Sequence, residues 1–134
     1  MHVGDVNIVW GWCWIVFGIL SGSIIGMWAF DGPLPAPRSH KNYADLPRRL
    51  TRLAHISLFM LPLINVVYGE HIDQVPLGDA LKVTGSYSMI VLMVGIPACL
   101  LLASWKIVFK YFSVLPVSAG FLGLGIMAYG QILR

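Results

Sequence analysis

Two polar side chains, His55 and Asn65, interrupt a long apolar stretch and have the clearest potential for chemistry in this chain. A polar group in apolar surroundings is costly unless it is hydrogen-bonded or binds a ligand. On a helix, both residues would fall on one broad face together with Phe59 and Pro62. They would lie ~15 Å apart along the helix axis.

Three interpretations of His55 follow from its type and position. It could hydrogen-bond a backbone carbonyl or hydroxyl of a neighbouring helix, act as an axial ligand of a tetrapyrrole, or line a quinone or proton site. A b-type haem usually needs two axial ligands, and Met27 is the candidate at a similar depth, since the other histidines fall in loops or the tail. A chlorophyll-type pigment needs only one ligand.

Asn65 has a simpler expected role. Its amide can bridge two helices and satisfy the backbone carbonyl that a nearby proline leaves without a partner. A polar ligand site is the alternative.

Composition indicates the environment in which these residues lie. Of 134 residues, 57% are hydrophobic and 11% charged, and the mean hydropathy is +0.77. A soluble domain carries roughly 25% charged residues, so this chain has too few to cover a water-facing surface. The composition predicts a single integral membrane domain, residues 1–134.

Apolar runs predict an all-α fold, a bundle of four kinked transmembrane helices. The expected spans are residues 8–30, 50–69, 86–105 and 111–133. Each approaches the length of about 20 residues that a bilayer core requires. The second span is the least secure, because its uncharged core is short and Pro62 lies in its middle.

The distribution of basic residues predicts an orientation. Seven of the nine Lys and Arg residues would lie on one side of the membrane, namely Arg38, Lys41, Arg48, Arg49, Arg52, Lys106 and Lys110. The cytoplasmic side carries the excess of such residues. Both termini are therefore expected on the non-cytoplasmic side, in a bacterial inner membrane. Tyr68, Tyr87 and Tyr129 are expected to anchor the outer boundary, where aromatic residues are enriched.

The cluster Arg48, Arg49 and Arg52 lies just cytoplasmic of the second span. It is expected to bind anionic lipid headgroups, with cardiolipin or an acidic partner surface as alternatives. The charges lie between apolar runs rather than on an exposed face, which argues against nucleic-acid binding.

Small residues recur at helical spacing in two spans. Gly18, Gly22 and Gly26 form a GxxxG pattern in the first, and Gly120 and Gly123 lie in the fourth. Such faces allow helices to approach closely, either within the chain or from another protein.

The chain contains no HExxH, GxSxG, P-loop or CxxCH motif. The leading functional hypothesis is therefore a non-catalytic accessory or assembly subunit of a larger membrane complex, of the respiratory or photosynthetic electron-transport kind. Other membrane subunits and lipids are the expected partners. The alternatives are a membrane anchor that binds haem, chlorophyll-type pigment or quinone through His55, and a small transporter or channel.

Overall fold

The computed structural model describes residues 2–29 and 32–134, and all regular structure in these residues is helical. Helices α1, α2, α3 and α4 comprise Asp5–Ala29, Leu46–Ile72, Asp79–Trp105 and Val114–Ile132, with 3-10 segments at Arg38–His40 and Ile107–Ser113. Four helices are long and apolar enough to cross a membrane, the last of them counted from Ile107. The predicted all-α class with four such helices is confirmed. Phe30, the predicted end of the first span, lies outside the described residues, as does Asp31.

The second helix is longer than the sequence predicted. It runs from Leu46 to Ile72 rather than over 50–69, and its 27 residues correspond to ~40 Å of helix. Pro47 fits the first turn, where its missing N–H removes no hydrogen bond. The predicted helix was too short because it followed only the charge-free stretch. Charged residues can form the ends of a membrane helix, since their long side chains reach the headgroup level.

The connection between α3 and α4 also differs from the prediction. The tight turn expected over 106–110 is instead an extended Lys106 followed by the 3-10 segment Ile107–Ser113. Consequently α4 begins at Val114 rather than at residue 111. Pro116 explains the boundary, because a proline is tolerated in the first turn of an α-helix and clashes with the preceding turn farther along.

The helices pack in the order of the sequence. Among the described residues, extensive contacts join α1 to α2, α2 to α3, and α3 to α4, whereas α1 reaches α3 over a small area. Residues 2–7, 70–81 and 129–134 lie at one end of this array, here called the termini end. Residues 32–52 and 105–114 form the opposite loop end, which holds the seven basic residues counted above.

The closest approach of two backbones joins α1 to α2 at the termini end. A Cβ atom on Gly69 would lie 2.5 Å from the carbonyl oxygen of Gly4 and 2.8 Å from Cγ1 of Ile8. Farther along α1, a Cβ on Gly11 would lie 2.9 Å from the Pro62 carbonyl oxygen. Only glycine permits these separations, so α1 lies directly on the backbone of α2.

Of the three tyrosines expected as anchors, Tyr68 has a side chain that is buried in the core. It packs with Ile72, Val75 and Met89, and only 3% of it is exposed. Its hydroxyl donates a hydrogen bond to the carbonyl oxygen of Gly123, 3.2 Å away. The expected anchoring role was wrong, because a buried tyrosine hydroxyl found a backbone acceptor on another helix.

The two kinds of glycine environment give a direct test of this packing. Gly69→Ala should lower the free energy of unfolding by about 1–3 kcal/mol, since the new methyl group meets backbone that cannot move away easily. Gly125→Ala is the matched control, because a Cβ there meets nothing within 4 Å; it should be neutral or stabilise by up to ~1 kcal/mol. Unfolding in SDS–detergent mixtures, followed by circular dichroism, measures both. Equal effects of the two substitutions would contradict the close α1–α2 contact.

Candidate functional site

A buried polar network joins three helices near the termini end. Asn7 of α1 and Asn65 of α2 are fully buried, and Ser86 of α3 is 2% exposed. The Asn7 amide nitrogen donates to Oδ1 of Asn65 at 2.8 Å and to the Ser86 carbonyl oxygen at 3.0 Å. The Ser86 hydroxyl in turn donates to Oδ1 of Asn7. Each of the three side chains thus bonds across a helix boundary.

Asn65 completes the network through its own amide nitrogen. It donates to the carbonyl oxygens of Leu61, at 3.2 Å, and Met89, at 3.0 Å. Asn65 therefore bridges helices, as its type suggested. The expectation that it satisfies a carbonyl freed by proline was wrong, because Pro62 frees the carbonyl of Leu58, four residues earlier. That oxygen instead lies 3.0 Å from the position of a Cβ on Gly18.

Asp73, at the end of α2, holds the beginning of α1. Its two carboxylate oxygens accept hydrogen bonds from the backbone N–H groups of Val3, at 3.2 Å, and Gly4, at 2.9 Å. The N-terminus of a helix presents free N–H groups and partial positive charge, so a carboxylate is a favourable partner there. The Lys82 ammonium donates to the Asp73 carbonyl oxygen at 3.0 Å and adds α3 to the same junction.

His55 lies between α1 and α2, nearer the loop end. Its Nδ1 is 3.1 Å from the Ser21 hydroxyl oxygen, and that hydroxyl donates its proton to the Gly18 carbonyl oxygen at 2.7 Å. When the serine proton goes to Gly18, an Nδ1–H tautomer of His55 donates to the serine oxygen and leaves the lone pair on Nε2. This is the arrangement that metal-ligating histidines commonly use.

The His55 ring packs against the face of α1 that carries the small residues Gly18 and Gly22. A Cβ on Gly22 would lie 2.7 Å from Cε1 and 3.0 Å from Nε2 of the ring, and Phe59 contacts the ring edge-to-face at 5.2 Å. The ring therefore packs on Gly22. Met27, the other candidate axial ligand, is exposed on α1. Among residues 2–29 and 32–134, no group of three or more His, Cys, Asp or Glu residues could hold a metal ion.

The predicted packing glycines face helices of the same chain. Gly18 and Gly22 lie against α2, while Gly120 and Gly123 lie against Leu92 and Met89 of α3. In the described part of the chain, a Cβ on Gly26 would meet nothing within 4 Å. Most of both small-residue faces is thus used within the chain.

The three arginines of the basic cluster have different surroundings. The Arg48 guanidinium donates to the carbonyl oxygens of Ala29, Lys41 and His40, at 2.6, 3.2 and 3.3 Å. It joins the end of α1 to the following loop. The Arg52 guanidinium lies 3.8 Å from the centre of the Tyr43 ring. Arg49 is exposed.

His40 packs beside Arg48 at the loop end. Its Nε2 is 3.1 Å from the Thr51 hydroxyl oxygen, and Trp28 contacts its ring edge-to-face at 5.3 Å. Burial and, to a smaller extent, the Arg48 charge lower the pKa of His40, against a smaller opposite effect of Asp45. His40 is therefore uncharged at neutral pH and does not repel Arg48.

Several of these residues were not singled out from the sequence. Asn7 lies just before the predicted first span, residues 8–30, and Ser21 and Ser86 resemble ordinary small helix residues. Asp73 entered the sequence analysis only as a charge. Their importance depends on partners 34 to 79 positions away. Of these residues, only Asn7 could have been identified from the sequence, because it is a polar residue at the edge of an apolar run.

Comparison of the chain with models of protein families, with curated proteins and with solved structures finds no match.

The Asn7–Asn65 hydrogen bond is testable by a double-mutant cycle. Asn7→Leu and Asn65→Leu should each destabilise the protein, because each leaves buried polar groups unpaired. The coupling energy should be about 0.6–1.7 kcal/mol, the range for hydrogen bonds between membrane helices. Thr84→Val serves as control, since this exposed threonine bonds only within its own helix. Unfolding in SDS–detergent mixtures measures all variants, and strict additivity of the two asparagine substitutions would contradict the contact.

Proposed function

We propose that this chain is a non-catalytic accessory or assembly subunit of a larger membrane complex, of the respiratory or photosynthetic electron-transport kind. The observation that carries this proposal is the exposure of α1. Only 11% of the most apolar stretch of α1 is buried within the chain, against 33% of the corresponding stretch of α2. Helix α1 contacts α2 along one side and α3 over a small area, and the rest of its circumference is available to another protein.

The exposed surface of α1 is aromatic as well as apolar. Trp10, Cys13, Trp14 and Phe17 line a shallow groove of about 220 Å³, in which Trp14 and Phe17 pack edge-to-face at 5.2 Å. Trp14 lies ~14 Å from the start of α1, deeper than the interface that tryptophan prefers. Within the described residues its indole N–H makes no hydrogen bond. Lipid tails offer no acceptor, whereas a partner helix can supply a carbonyl or hydroxyl.

The composition of the spans supports an accessory role over transport. The Lys, Arg, Asp and Glu side chains within the helices lie near the helix ends, as Arg52 and Lys82 do. Transport pathways usually require charged groups within the membrane.

The proposed orientation has the termini end on the non-cytoplasmic side of a bacterial inner membrane. Its support is the concentration of seven of the nine Lys and Arg residues at the loop end. The other two are Lys82, in the first turn of α3 next to the termini end, and Arg134 within it.

Purification of the tagged chain from its native membrane in mild detergent tests the proposal. We expect a complex of fixed stoichiometry, with a mass clearly above 14.8 kDa plus detergent. Trp14→Leu combined with Phe17→Leu should release the chain from the complex, because it removes the aromatic surface of α1. Phe121→Leu is the matched control on the exposed face of α4 and should leave the complex intact. Migration of the wild-type chain as a lone monomer would contradict this function.

A second candidate function is a cofactor-binding membrane anchor in which His55 is the axial ligand of a haem or chlorophyll-type pigment, or contacts a quinone. The contact between Nδ1 and Ser21 supports it, because in the Nδ1–H tautomer Nε2 keeps the lone pair that a metal would accept. Any such group would have to approach the ring beside Gly22.

The absorption spectrum of the purified protein separates the two candidates. An axial role for His55 predicts a Soret or chlorin band that disappears in His55→Ala and shifts in Ser21→Ala, since the serine orients the ring. A wild-type protein without either band, purified from a host that makes both pigments, would remove the tetrapyrrole-binding alternative. Quinone in a solvent extract of wild-type protein, reduced in His55→Ala, would support the quinone contact.

A further inference from the structure

We propose that the loop-end surface of α2 binds an anionic glycerophospholipid in a defined groove. The α2 groove has a volume of about 290 Å³ and is lined by Tyr43, Arg49, Arg52, Leu53 and Ile56. Its upper part carries two guanidinium groups and a phenol, and its lower part is aliphatic. An anionic phospholipid matches both parts, with a charged headgroup followed by apolar acyl chains.

The positive charge of the groove is not neutralised within the described residues. Among those residues the one contact at salt-bridge distance, His2 Nδ1 to Asp73 Oδ2 at 4.0 Å, lies at the opposite end of the helices. The nearest acidic residue in sequence, Asp45, accepts hydrogen bonds from the backbone and side chain of Asn42. Arg49 and Arg52 are thus free to bind a phosphate, the ligand that the forked guanidinium group fits best.

Arg48 does not belong to this site although it adjoins Arg49 in sequence. Its guanidinium lies 5.6 Å from the centre of the Tyr43 ring, but it donates to three backbone carbonyls and does not line the groove. The structure therefore reduces the sequence-predicted cluster of three arginines to a pair with a free side for a ligand.

Tyr43 positions one member of the pair. The Arg52 guanidinium lies over its ring at 3.8 Å, a cation–π contact that fixes the plane of the group. The N–H groups point outward within that plane and remain able to donate to phosphate oxygens. Arg49, three positions earlier, lies on the same face of the helix.

The aliphatic part of the groove explains why the ligand is a lipid rather than free phosphate. Leu53 and Ile56 are more than half exposed and follow the arginines along α2, and Met60 continues this exposed stripe by one turn. From Arg49 to Ile56 the helix advances ~10 Å, which takes the surface from the headgroup level into the hydrocarbon region. An acyl chain below a bound headgroup would cover this stripe.

Native mass spectrometry of the full chain in detergent, titrated with phosphatidylglycerol or phosphatidylcholine, tests the site. Arg49→Gln with Arg52→Gln should weaken phosphatidylglycerol binding about 10- to 30-fold, as expected for the loss of two positive charges at a membrane surface. Lys106→Gln with Lys110→Gln is the matched control, because these exposed lysines carry the same charge at the same end. It should change the affinity less than about threefold.

Tyr43→Leu provides a second variant that leaves the net charge unchanged. It should weaken phosphatidylglycerol binding severalfold through loss of the Arg52 contact, with an unaltered circular dichroism spectrum. Equal losses in the arginine and lysine double variants would overturn the site in favour of general surface charge. Equal binding of phosphatidylcholine would overturn the headgroup selectivity, and displacement of the lipid by inorganic phosphate at matched concentration would overturn the role of the acyl chain.

Discussion

The amide contact between Asn7 and Asn65 is the interaction on which the arrangement of the first three helices depends. An asparagine side chain is short, so the 2.8 Å bond requires the backbones of α1 and α2 to lie very close. Gly4 and Gly69 provide that closeness. The hydrogen bond in turn keeps the two helices close, because no water in a bilayer could satisfy the two amides if the helices separated.

Three polar contacts distribute the attachment of α1 along its length. Asp73 holds its first backbone N–H groups, the Ser21–His55 pair joins it to the middle of α2, and Arg48 binds the carbonyl oxygen of Ala29 at its end. Between these three polar contacts, α1 packs against α2 through glycine residues. Since apolar helices gain little hydrophobic energy from associating in lipid, such specific contacts fix the position of a helix that buries little of its surface.

The sequence was sufficient to predict the helices but not to predict which residues contact each other between them. Long charge-free runs predicted four helices, because the bilayer imposes their length and composition. The predicted second span was shorter than α2, since Arg48 and Arg49 at one end and Glu70 and His71 at the other belong to the helix although they lie outside the apolar run. Tyr68 was misplaced because its hydroxyl could be satisfied either by headgroups or by Gly123, and only the packing of α4 decides between them. The pairing of Asn7 with Asn65 depends on the same three-dimensional information.

The internal use of the glycine faces changes what a partner of this chain must recognise. Gly18, Gly22, Gly120 and Gly123 already pack against α2 or α3, so a partner helix cannot gain its affinity from close backbone contact at those positions. What α1 offers instead is a surface of large side chains around Trp14 and Phe17. Aromatic groups bring large contact areas and a polar N–H that needs an acceptor. Recognition through such groups requires a complementary pocket in the partner, which suits a fixed place in a complex better than promiscuous helix pairing.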